Sequence, residues 1–503
     1  MTASAMPPRR YSRATWAAAA LLILLATFAL RSIHFGNPVM HVDEDFYLLV
    51  GDRMLHWHQW PYVDIWDRKP VGIFVVYWLI RMLGGEGFLQ YQIVATLFAA
   101  ATAFCIARIA TRFTTLGAGV WAGLIYVVAL GLYGGEGGQT PVFYNLFTAL
   151  AAMATMRAAL DPAATPGLIR RQGAIAMAIT GLAMQIKYNI MFEGIFFALL
   201  LLWKGWKTDP RLAPRLIDAI LWAGLALLPT AVAFAVYAAA GHAEIFFYSN
   251  FVSILQRPKV DNAELLDRLW KIFRGIAILF VALGLAMWKG PWRGHDAIGA
   301  AHRFALMWVA AAIVGFLIFG TYYNHYILPV LLPLAIGAAP AFSIRRKDFA
   351  WGALFAFLIL AVGLVAYNVR AFKRQERSGN AAYIRPIARI IKAHLGKGCL
   401  YVHDGESILY YLTGSCIPTV WAFPNHLNTE VEAPAIGVDP AAEVARTFAT
   451  KPTVVATTIN RVWDVNTASR AVADRALARD YRLIYTAPID EELRAIYVRR
   501  PGR

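Results

Sequence analysis

The sequence predicts a polytopic α-helical membrane protein, with about 11–13 transmembrane helices and a small C-terminal α/β domain. Hydrophobic residues make up 59% of the 503 residues and charged residues only 16%, whereas a soluble globular chain carries about 25% charged residues. Several apolar runs reach the roughly 20 residues that a helix needs to cross a bilayer. From residue 370 onward polar residues return and short β-rich runs alternate with helical stretches, which is typical of a small α/β domain.

The apolar runs predict eleven membrane spans. A further apolar segment at 70–83 is only about 14 residues long, which is short for a span, so we interpret it as a surface or re-entrant helix. This interpretation gives a transmembrane domain at 1–369, whose first external loop is 34–87, and a second domain at 370–503. The predicted spans are residues 14–33, 88–107, 116–134, 141–158, 172–187, 189–204, 215–240, 272–289, 303–320, 326–343 and 349–368.

The distribution of basic residues predicts the orientation of the chain in the membrane. Arg9, Arg10 and Arg13 precede the first span, so the positive-inside rule places the N-terminus in the cytoplasm. Eighteen lysines and arginines then fall in predicted cytoplasmic segments, and one, Lys187, falls in a short external loop. The net charge of +17 therefore reflects membrane topology and not nucleic-acid binding. We expect a multi-pass protein of the inner (plasma) membrane whose C-terminal domain is extracytoplasmic.

The C-terminal domain is predicted from four β-rich runs and three helical stretches. Cys399 and Cys416 both lie in this region and could form a disulfide if it faces an oxidising compartment. Two cysteines alone leave that pairing open. The predicted strands are Leu400–His403, Thr453–Thr458, Arg482–Thr486 and Ala495–Val498, and the predicted helices lie near 382–395, 440–449 and 466–479.

The loop after the first span is unusually acidic for a chain with 31 aspartates and glutamates in total. Asp43 is expected to cap a helix whose apolar residues share one face, so that the helix lies along the membrane interface. Carboxylates at this surface can act as a general base or bind a cation, and the alternative is that they only cap the helix. The acidic residues between His41 and Pro70 are Asp43, Glu44, Asp45, Asp52, Asp64 and Asp67.

Other polar residues of the predicted external face are further candidates, each with a structural alternative. Asp64, Asp67 and Lys69 either contact substrate or pair with one another as loop charges. Lys187 interrupts an apolar run, where a charge is costly, so it either binds a phosphate at headgroup depth or snorkels to the surface. An aromatic belt explains Tyr322, Tyr323 and Tyr326 but explains Asn324 and His325 less well. This aromatic and polar cluster comprises Tyr322, Tyr323, Asn324, His325 and Tyr326.

The first loop also resembles a known family. An Asp-Glu pair followed by Phe-Tyr and then by PYVDIWDRKP is similar to the polyprenyl-phosphate-sugar-dependent glycosyltransferases of the GT-C fold, which include protein O-mannosyltransferases and aminoarabinose transferases. The similarity continues through Lys187, through HYILPVLLP at 325–333, and through a C-terminal YYLTG and KPTVV pattern. Family members commonly have KPP where this chain has Lys69, Pro70 and Val71.

The resemblance implies inverting transfer of a sugar from a polyprenyl-phosphate donor to an acceptor hydroxyl at the external membrane face. It implies that Asp43 is the catalytic base and Glu44 its support, while Lys187 and His325 stabilise the leaving phosphate. The acceptor would be an envelope glycan, lipid or protein, and the partners would include membrane lipids but no nucleic acid. No cofactor is implied with certainty, although some relatives use a divalent metal. The remaining substrate-binding candidates are Asp64, Asp67, Lys69, Glu136, Tyr322 and Tyr323.

Two other functional classes remain open from the sequence. A transporter or flippase of a lipid-linked or small polar molecule would place ionisable groups near mid-bilayer, whereas these candidates cluster at one face. A binding role for the C-terminal domain alone is the third option. The sequence leaves the sugar and the acceptor undetermined.

Overall fold

The computed structural model describes residues 11–258, 260–461 and 464–502. The helices are, in chain order, α1 Arg13–Arg31, α2 Val42–His56, α3 Val71–Arg81, α4 Phe88–Ala110, α5 Leu116–Leu132, α6 Thr140–Ala159, α7 Pro166–Met184, α8 Met191–Thr208, α9 Leu212–Ala239, α10 Ala243–Phe247, α11 Asn262–Lys289, α12 Ala297–Phe319, α13 Leu328–Ala338, α14 Trp351–Ser378, α15 Ala381–Leu395, α16 Ile408–Thr413, α17 Asn425–Asn428, α18 Pro440–Ala449 and α19 Thr467–Asp480. The strands are β1 Leu400–Val402, β2 Val454–Thr458, β3 Tyr481–Ile489 and β4 Glu492–Arg499.

The chain forms two compact units. The first, which we call the span unit, comprises Met1–Ile33, Ile93–Val232 and Val260–Val369. The second, which we call the loop unit, comprises His34–Gln92, Ala233–Lys259 and Arg370–Arg503. Contacts thus group the first loop with the C-terminal region in one unit. Two hydrogen bonds connect these segments: Trp66 N donates to Val420 O (2.8 Å), and the Arg53 side chain donates to Ser415 O.

The membrane-spanning architecture is that of a polytopic helical protein. Helices α1, α4–α9 and α11–α14 overlap the eleven predicted spans. Within the described residues, eight helical segments are long and apolar enough to cross a bilayer, and α5 is a shorter apolar helix. Arg9 and Arg10, on which the predicted orientation partly depends, lie outside the described residues.

Small residues allow two helices of the span unit to pack closely. A Cβ on Gly123 of α5 would come within 2.6 Å of the Ala103 carbonyl oxygen of α4, and one on Gly119 would come within 2.9 Å of the Ala107 oxygen. Such contacts between backbones are the usual way in which helices associate where lipid removes the hydrophobic driving force.

Side-chain oxygens cap several helices of this unit, including Thr115 at α5 and Thr165 at α7.

In the loop unit, α2 and α3 form a closely packed helix pair. A Cβ on Gly51 would lie 2.7 Å from the backbone of Tyr77, so only glycine permits this approach. Helix α3 has 11 residues. At 1.5 Å per residue it is about 16 Å long, which is roughly half the thickness of the 30 Å hydrocarbon core of a bilayer. Its length favours the interpretation that this segment does not cross the membrane.

Two expectations about α2 are wrong. The helix does not lie on a surface with one apolar face, because Phe46, Tyr47, Leu48 and Leu49 are all buried, and four successive residues point to every side of a helix. Asp43 does not cap it either. The N-cap is His41, whose Nδ1 accepts a hydrogen bond from Asp43 N (3.2 Å), and Asp43 lies in the first turn.

The C-terminal region carries a four-stranded mixed sheet in the order β1-β2-β4-β3. Strand β1 is parallel to β2, while β2–β4 and β3–β4 are antiparallel. The four strands and helices α15, α18 and α19 occupy the predicted positions, whereas α16 and α17 were not predicted. Cys399 and Cys416 form a disulfide beside the start of β1.

Candidate active site

A lysine bridges two carboxylates at the start of α2. Lys69 Nζ lies 3.2 Å from Asp43 Oδ1 and 3.0 Å from Asp67 Oδ2. The Asp43 side chain is 14% exposed and the Asp67 side chain only 1%. We call these three residues the loop triad. Of its two carboxylates, Asp43 is the one that a substrate can reach.

The turn that ends in Pro70 builds the triad. Asp67 Oδ1 accepts hydrogen bonds from the backbone N–H groups of Arg68 (2.5 Å) and Lys69 (3.1 Å). Tyr62, in a left-handed conformation with φ 69°, donates its hydroxyl to Lys69 O (2.7 Å). Pro70 then begins α3 as its N-cap, where a missing N–H costs nothing. Asp67 therefore orients the lysine both through its backbone and through its ammonium group.

The surroundings of the triad favour the charged form of the lysine. Burial disfavours a charged lysine, but the carboxylates of Asp43 and Asp67 outweigh it and raise the pKa of Lys69. The ammonium also lies 5.2 Å from the ring centroid of Tyr47 and 5.6 Å from that of Phe423, within range of cation–π attraction. Lys69 is thus a permanent cation whose contacts are shared between two acids.

The other acids of the first loop have different environments. Glu44 is 1% exposed and its carboxylate is hydrogen-bonded to Tyr91. Burial, and then the neighbouring Glu44, raise the pKa of Asp45 well above its usual range. Asp64 is exposed, and its Oδ2 accepts a hydrogen bond from Trp60 N (2.7 Å), which closes a local turn. The structure thus brings Asp43, Asp67 and Lys69 together but gives Asp64 a separate role.

A second charged cluster in the loop unit was missed by sequence reasoning. Glu432 pairs with Arg68 and with Arg257, the latter at 2.6 Å. The imidazole of His426 is buried nearby, and burial, followed by the charge of Arg68, lowers its pKa well below the usual range, so it is neutral. Its ring lies 5.0 Å from Phe423, the residue beneath Lys69. Two arginines on one carboxylate leave an excess positive charge beside the loop triad.

Lys187 belongs to the span unit, and its ammonium lies over one aromatic ring of a cluster. Its Nζ is 4.4 Å from the centroid of Tyr326, whose ring is 4.8 Å from that of His325. Tyr323 stacks on His325 at 6.2 Å, and the guanidinium of Arg268 lies 4.7 Å from Tyr323. Two cations therefore flank three aromatic rings. The sequence contains no signal that distinguishes Arg268 from the other basic residues, so this contact was not predicted.

The remaining candidates of the span unit are held by backbone contacts. Glu136 is 4% exposed and lies in a glycine-rich loop that Arg31 holds, with Arg31 Nη1 donating to Gly135 O (2.6 Å) and Nη2 to Gly137 O (2.7 Å). Tyr322 donates its hydroxyl to Leu317 O (3.1 Å) at the end of α12. Lys187 and Asp43 belong to different units. That both residues act on one phosphate stays a prediction.

The residues of the loop triad do not suit a divalent cation. Among the described residues, no group of three or more histidine, cysteine, aspartate or glutamate side chains could hold a metal ion. The ammonium of Lys69 occupies the position between Asp43 and Asp67 that a bound cation would take. The divalent metal that the resemblance implies for some relatives stays a prediction for this chain.

Comparison with solved structures identifies the fold. The chain is similar to ArnT from Cupriavidus metallidurans bound to undecaprenyl phosphate, with 15% identity and a TM-score of 0.55 over 97% of this chain and 98% of that one. The arabinofuranosyltransferase AftD from mycobacteria gives 16% identity and a TM-score of 0.52, over 98% of this chain but 40% of AftD. The oligosaccharyltransferase AglB from Archaeoglobus fulgidus, in complex with an inhibitory peptide and a dolichol-phosphate, gives 10% identity and a TM-score of 0.52, over 88% and 69%.

These similarities confirm the expected GT-C-like fold. No protein-family model matches the sequence, and no curated protein matches it significantly. At identities of 10–16% the similarity concerns the fold, so the roles of individual residues must be argued from their own geometry.

Proposed function

We propose that this membrane protein of GT-C fold is an inverting glycosyltransferase that moves a sugar from a polyprenyl-phosphate donor to an acceptor hydroxyl. The observation that carries the proposal is the loop triad. It combines one reachable carboxylate, Asp43, with a permanent cation, Lys69, and a buried carboxylate, Asp67, that orients the cation. A base and an anion-binding group side by side are what glycosyl transfer from a phosphate requires.

In the proposed reaction Asp43 takes the proton of the acceptor hydroxyl. The acceptor oxygen forms a bond to the anomeric carbon from the face opposite the phosphate. The bond between that carbon and the phosphate oxygen breaks, and polyprenyl phosphate leaves with the electron pair. Glu44, buried next to Asp43, supports the position of the base.

Lys69 gives the triad a way to couple donor binding to the release of the base. While Lys69 contacts Asp43, the ion pair occupies the carboxylate. A donor phosphate that attracts Lys69 away from Asp43 would free the carboxylate for the acceptor proton while placing the cation on the leaving group. Asp67 keeps Lys69 in reach throughout, because it holds both the backbone and the ammonium of that residue.

The other candidates have supporting roles in this proposal. The excess charge of Arg68 and Arg257 over Glu432 attracts the donor phosphate to the loop unit. Lys187 and His325 stay candidates for binding phosphate, and Glu136, Asp64, Tyr322 and Tyr323 stay candidates for binding the sugar or acceptor.

The lipid tail has a candidate site of its own in the span unit. An apolar cavity of about 520 Å³ lies among α5, α11 and α14 and would accommodate part of a polyprenyl chain. A donor lipid of this kind is consistent with the undecaprenyl phosphate and dolichol-phosphate bound by the similar proteins. The extracytoplasmic position of the reaction is supported by the basic-residue distribution and by the Cys399–Cys416 disulfide, which is typical of an oxidising compartment.

The test uses the purified full-length protein in lipid nanodiscs. Undecaprenyl phosphate is titrated to measure binding, and sugar transfer is followed with a panel of undecaprenyl-phosphate sugars and envelope acceptors. Asp43→Asn should bind undecaprenyl phosphate as the wild type does but lose transfer by about 10²–10⁴-fold, the usual contribution of a positioned base. Wild-type transfer by Asp43→Asn would refute the proposed base. Movement of the lipid between leaflets without any covalent transfer would favour a transporter.

A further inference from the structure

We propose that a short helical segment of the loop unit docks on the membrane surface through an exposed apolar face. The segment is 243–256, which we call the interface segment. In it α10 continues into a π-helical turn at Tyr248–Val252 and a 3₁₀ turn at Ser253–Gln256. The partner is the lipid of the bilayer, at the depth where headgroups meet acyl chains. This inference goes beyond the proposed function and requires no sugar donor or acceptor.

The interface segment has nearly the reverse of the polarity expected at the surface of a soluble protein. Its inward side, which packs within the loop unit, carries the buried polar residues Ser249, Asn250 and Ser253. Its outward side carries Phe247 and Leu255, which are 53% and 83% exposed. In water an exposed apolar face of this kind is unfavourable, because apolar surface is driven out of water. The same arrangement is favourable where the outward side meets lipid.

The exposed apolar residues share one face of the interface segment. Phe247 and Phe251 lie four positions apart, and their ring centroids are 5.4 Å from each other. Ile254 and Leu255 are exposed at three and four positions beyond Phe251, the spacing of neighbours on one side of a helix. We call these four residues the lipid face. A contiguous exposed apolar patch of this kind marks a site of interaction.

Hydrogen bonds on the inward side fix which way the segment faces. The Ser253 hydroxyl donates to Ala435 O (2.5 Å), and Asn250 Nδ2 donates to Phe246 O (2.9 Å). The Tyr62 hydroxyl lies 3.4 Å from Asn250 Oδ1. Turning the lipid face inward would break the contacts of Ser253 and Tyr62 and would expose no compensating polar face. The outward direction of the apolar residues is therefore built into the loop unit.

The interface segment is attached directly to helices of membrane-spanning character. Helix α9 is long and apolar enough to cross a bilayer, and residues 240–242 connect its end to the segment. The last turn of α9 packs on the segment, with the ring centroid of Tyr237 at 4.9 Å from that of Phe246. Val236 in that turn is exposed, and it continues the apolar surface of α9 toward the segment. Helix α11, which is also long and apolar enough, begins at Asn262.

A tryptophan at the end of α9 indicates the same surroundings. Trp60 is exposed, and its ring centroid lies 5.3 Å from that of Tyr237 and 6.1 Å from that of His242. Tryptophan and tyrosine are enriched where membrane meets water, because their rings are apolar and carry one polar group. This observation is independent of the lipid face. Both place the turn at 240–242 at the membrane interface.

The test measures the depth of spin labels on the full-length protein in lipid nanodiscs that hold one copy each. Labels are attached at Leu255→Cys and, separately, at Phe247→Cys, both in a Cys105→Ala background. The other two cysteines, Cys399 and Cys416, form a disulfide, so labelling without reductant places one label on each molecule. Thermal unfolding of each labelled variant checks that the fold is kept.

Two exposed positions serve as references. Leu228→Cys on α9 gives the signal of a label in lipid, and Ala478→Cys on α19 gives the signal of a label in water. Collisions with oxygen, which concentrates in lipid, are compared with collisions with a water-soluble nickel complex.

We expect the labels at Leu255→Cys and Phe247→Cys to collide more with oxygen than with nickel, as the label at Leu228→Cys does. The ratio should place them about 5–10 Å below the level of the headgroups, the depth of interfacial helices. If Leu255→Cys does not fold, Ile254→Cys on the same face takes its place.

Two results would overturn the inference. Nickel collisions as frequent as those at Ala478→Cys would show that the lipid face lies in water. Low collision rates with both reagents would show that protein covers this face instead of lipid. Neither result bears on the proposed function, which is decided separately by transfer with Asp43→Asn.

Discussion

Replacing Lys69 with methionine tests the loop triad most sharply at the level of stability. Methionine keeps most of the length and apolar volume of the lysine side chain but removes its charge. Asp43 and Asp67 would then face each other without the cation that separates them. Because Asp67 is only 1% exposed, solvent can do little to screen its charge.

The distances give the size of the effect. Both carboxylate oxygens lie about 3 Å from the same nitrogen, at 3.2 and 3.0 Å, so they are at most about 6 Å apart. Two like charges at about 6 Å repel by about 3 kcal/mol at an effective dielectric constant of about 20. This agrees with the 3–5 kcal/mol commonly lost when one partner of a buried ion pair is removed. With an unfolding entropy of about 2.1 cal/mol/K per residue, we expect the Tm to fall by about 3 °C.

The assay is thermal unfolding of the purified protein at neutral pH. The double variant Lys69→Met/Asp67→Asn should regain most of the lost Tm, because asparagine removes the second charge but can still accept the backbone hydrogen bonds at its side-chain oxygen. Lys271→Met is the matched control, since its partner Asp267 is exposed and such pairs contribute little. A Lys69→Met protein as stable as the control, or a double variant that is no more stable than the single one, would refute the electrostatic account.

Three further predictions concern the surroundings of the triad. His41→Ala should cost about 1 kcal/mol of stability and lower activity, whereas His41→Asn, a better N-cap, should retain both; thermal unfolding and transfer rates check this. Reducing the Cys399–Cys416 disulfide, which spans 17 residues, should destabilise the protein by about 3 kcal/mol, measured as the Tm with and without reductant. Because the pKa of Asp45 is raised, the folded state binds the proton of this carboxyl more tightly than the unfolded state does. The stability that this proton contributes is therefore present below pH 3.8 and is lost as the pH rises through the pKa of the folded state. Asp45→Asn should therefore raise the Tm at pH 7–8 relative to wild type and have little effect near pH 3.8; equal shifts at both pH values would contradict this assignment.

The helices and strands could be predicted because their signals are local. Runs of apolar residues mark the spans, and β-rich runs mark β1 to β4, without any knowledge of what packs against them. The burial of α2 could not be predicted in this way. Its sequence has polar residues in the first turn, and only packing within the loop unit decides that Glu44 and Asp45 are buried.

The site shows the same division. The acidic loop was identifiable from composition, but Asp64 and Asp67 are three residues apart and indistinguishable by residue type. The turn that ends in Pro70 buries one and exposes the other. The pairing of Glu432 with Arg68 and Arg257 joins segments far apart in the chain, for which a single sequence contains no signal. His41 was missed because histidine is not one of the preferred capping residues.

The central claim is that Asp43 is the base of a glycosyl transfer in the cell envelope. The most direct measurement is mass spectrometry of envelope glycolipids, glycans and glycoproteins from a strain lacking this chain, complemented either with the wild type or with Asp43→Asn at equal membrane levels. The account predicts a sugar modification that is absent from the deletion strain, restored by the wild type and still absent with Asp43→Asn. Restoration by Asp43→Asn would contradict it.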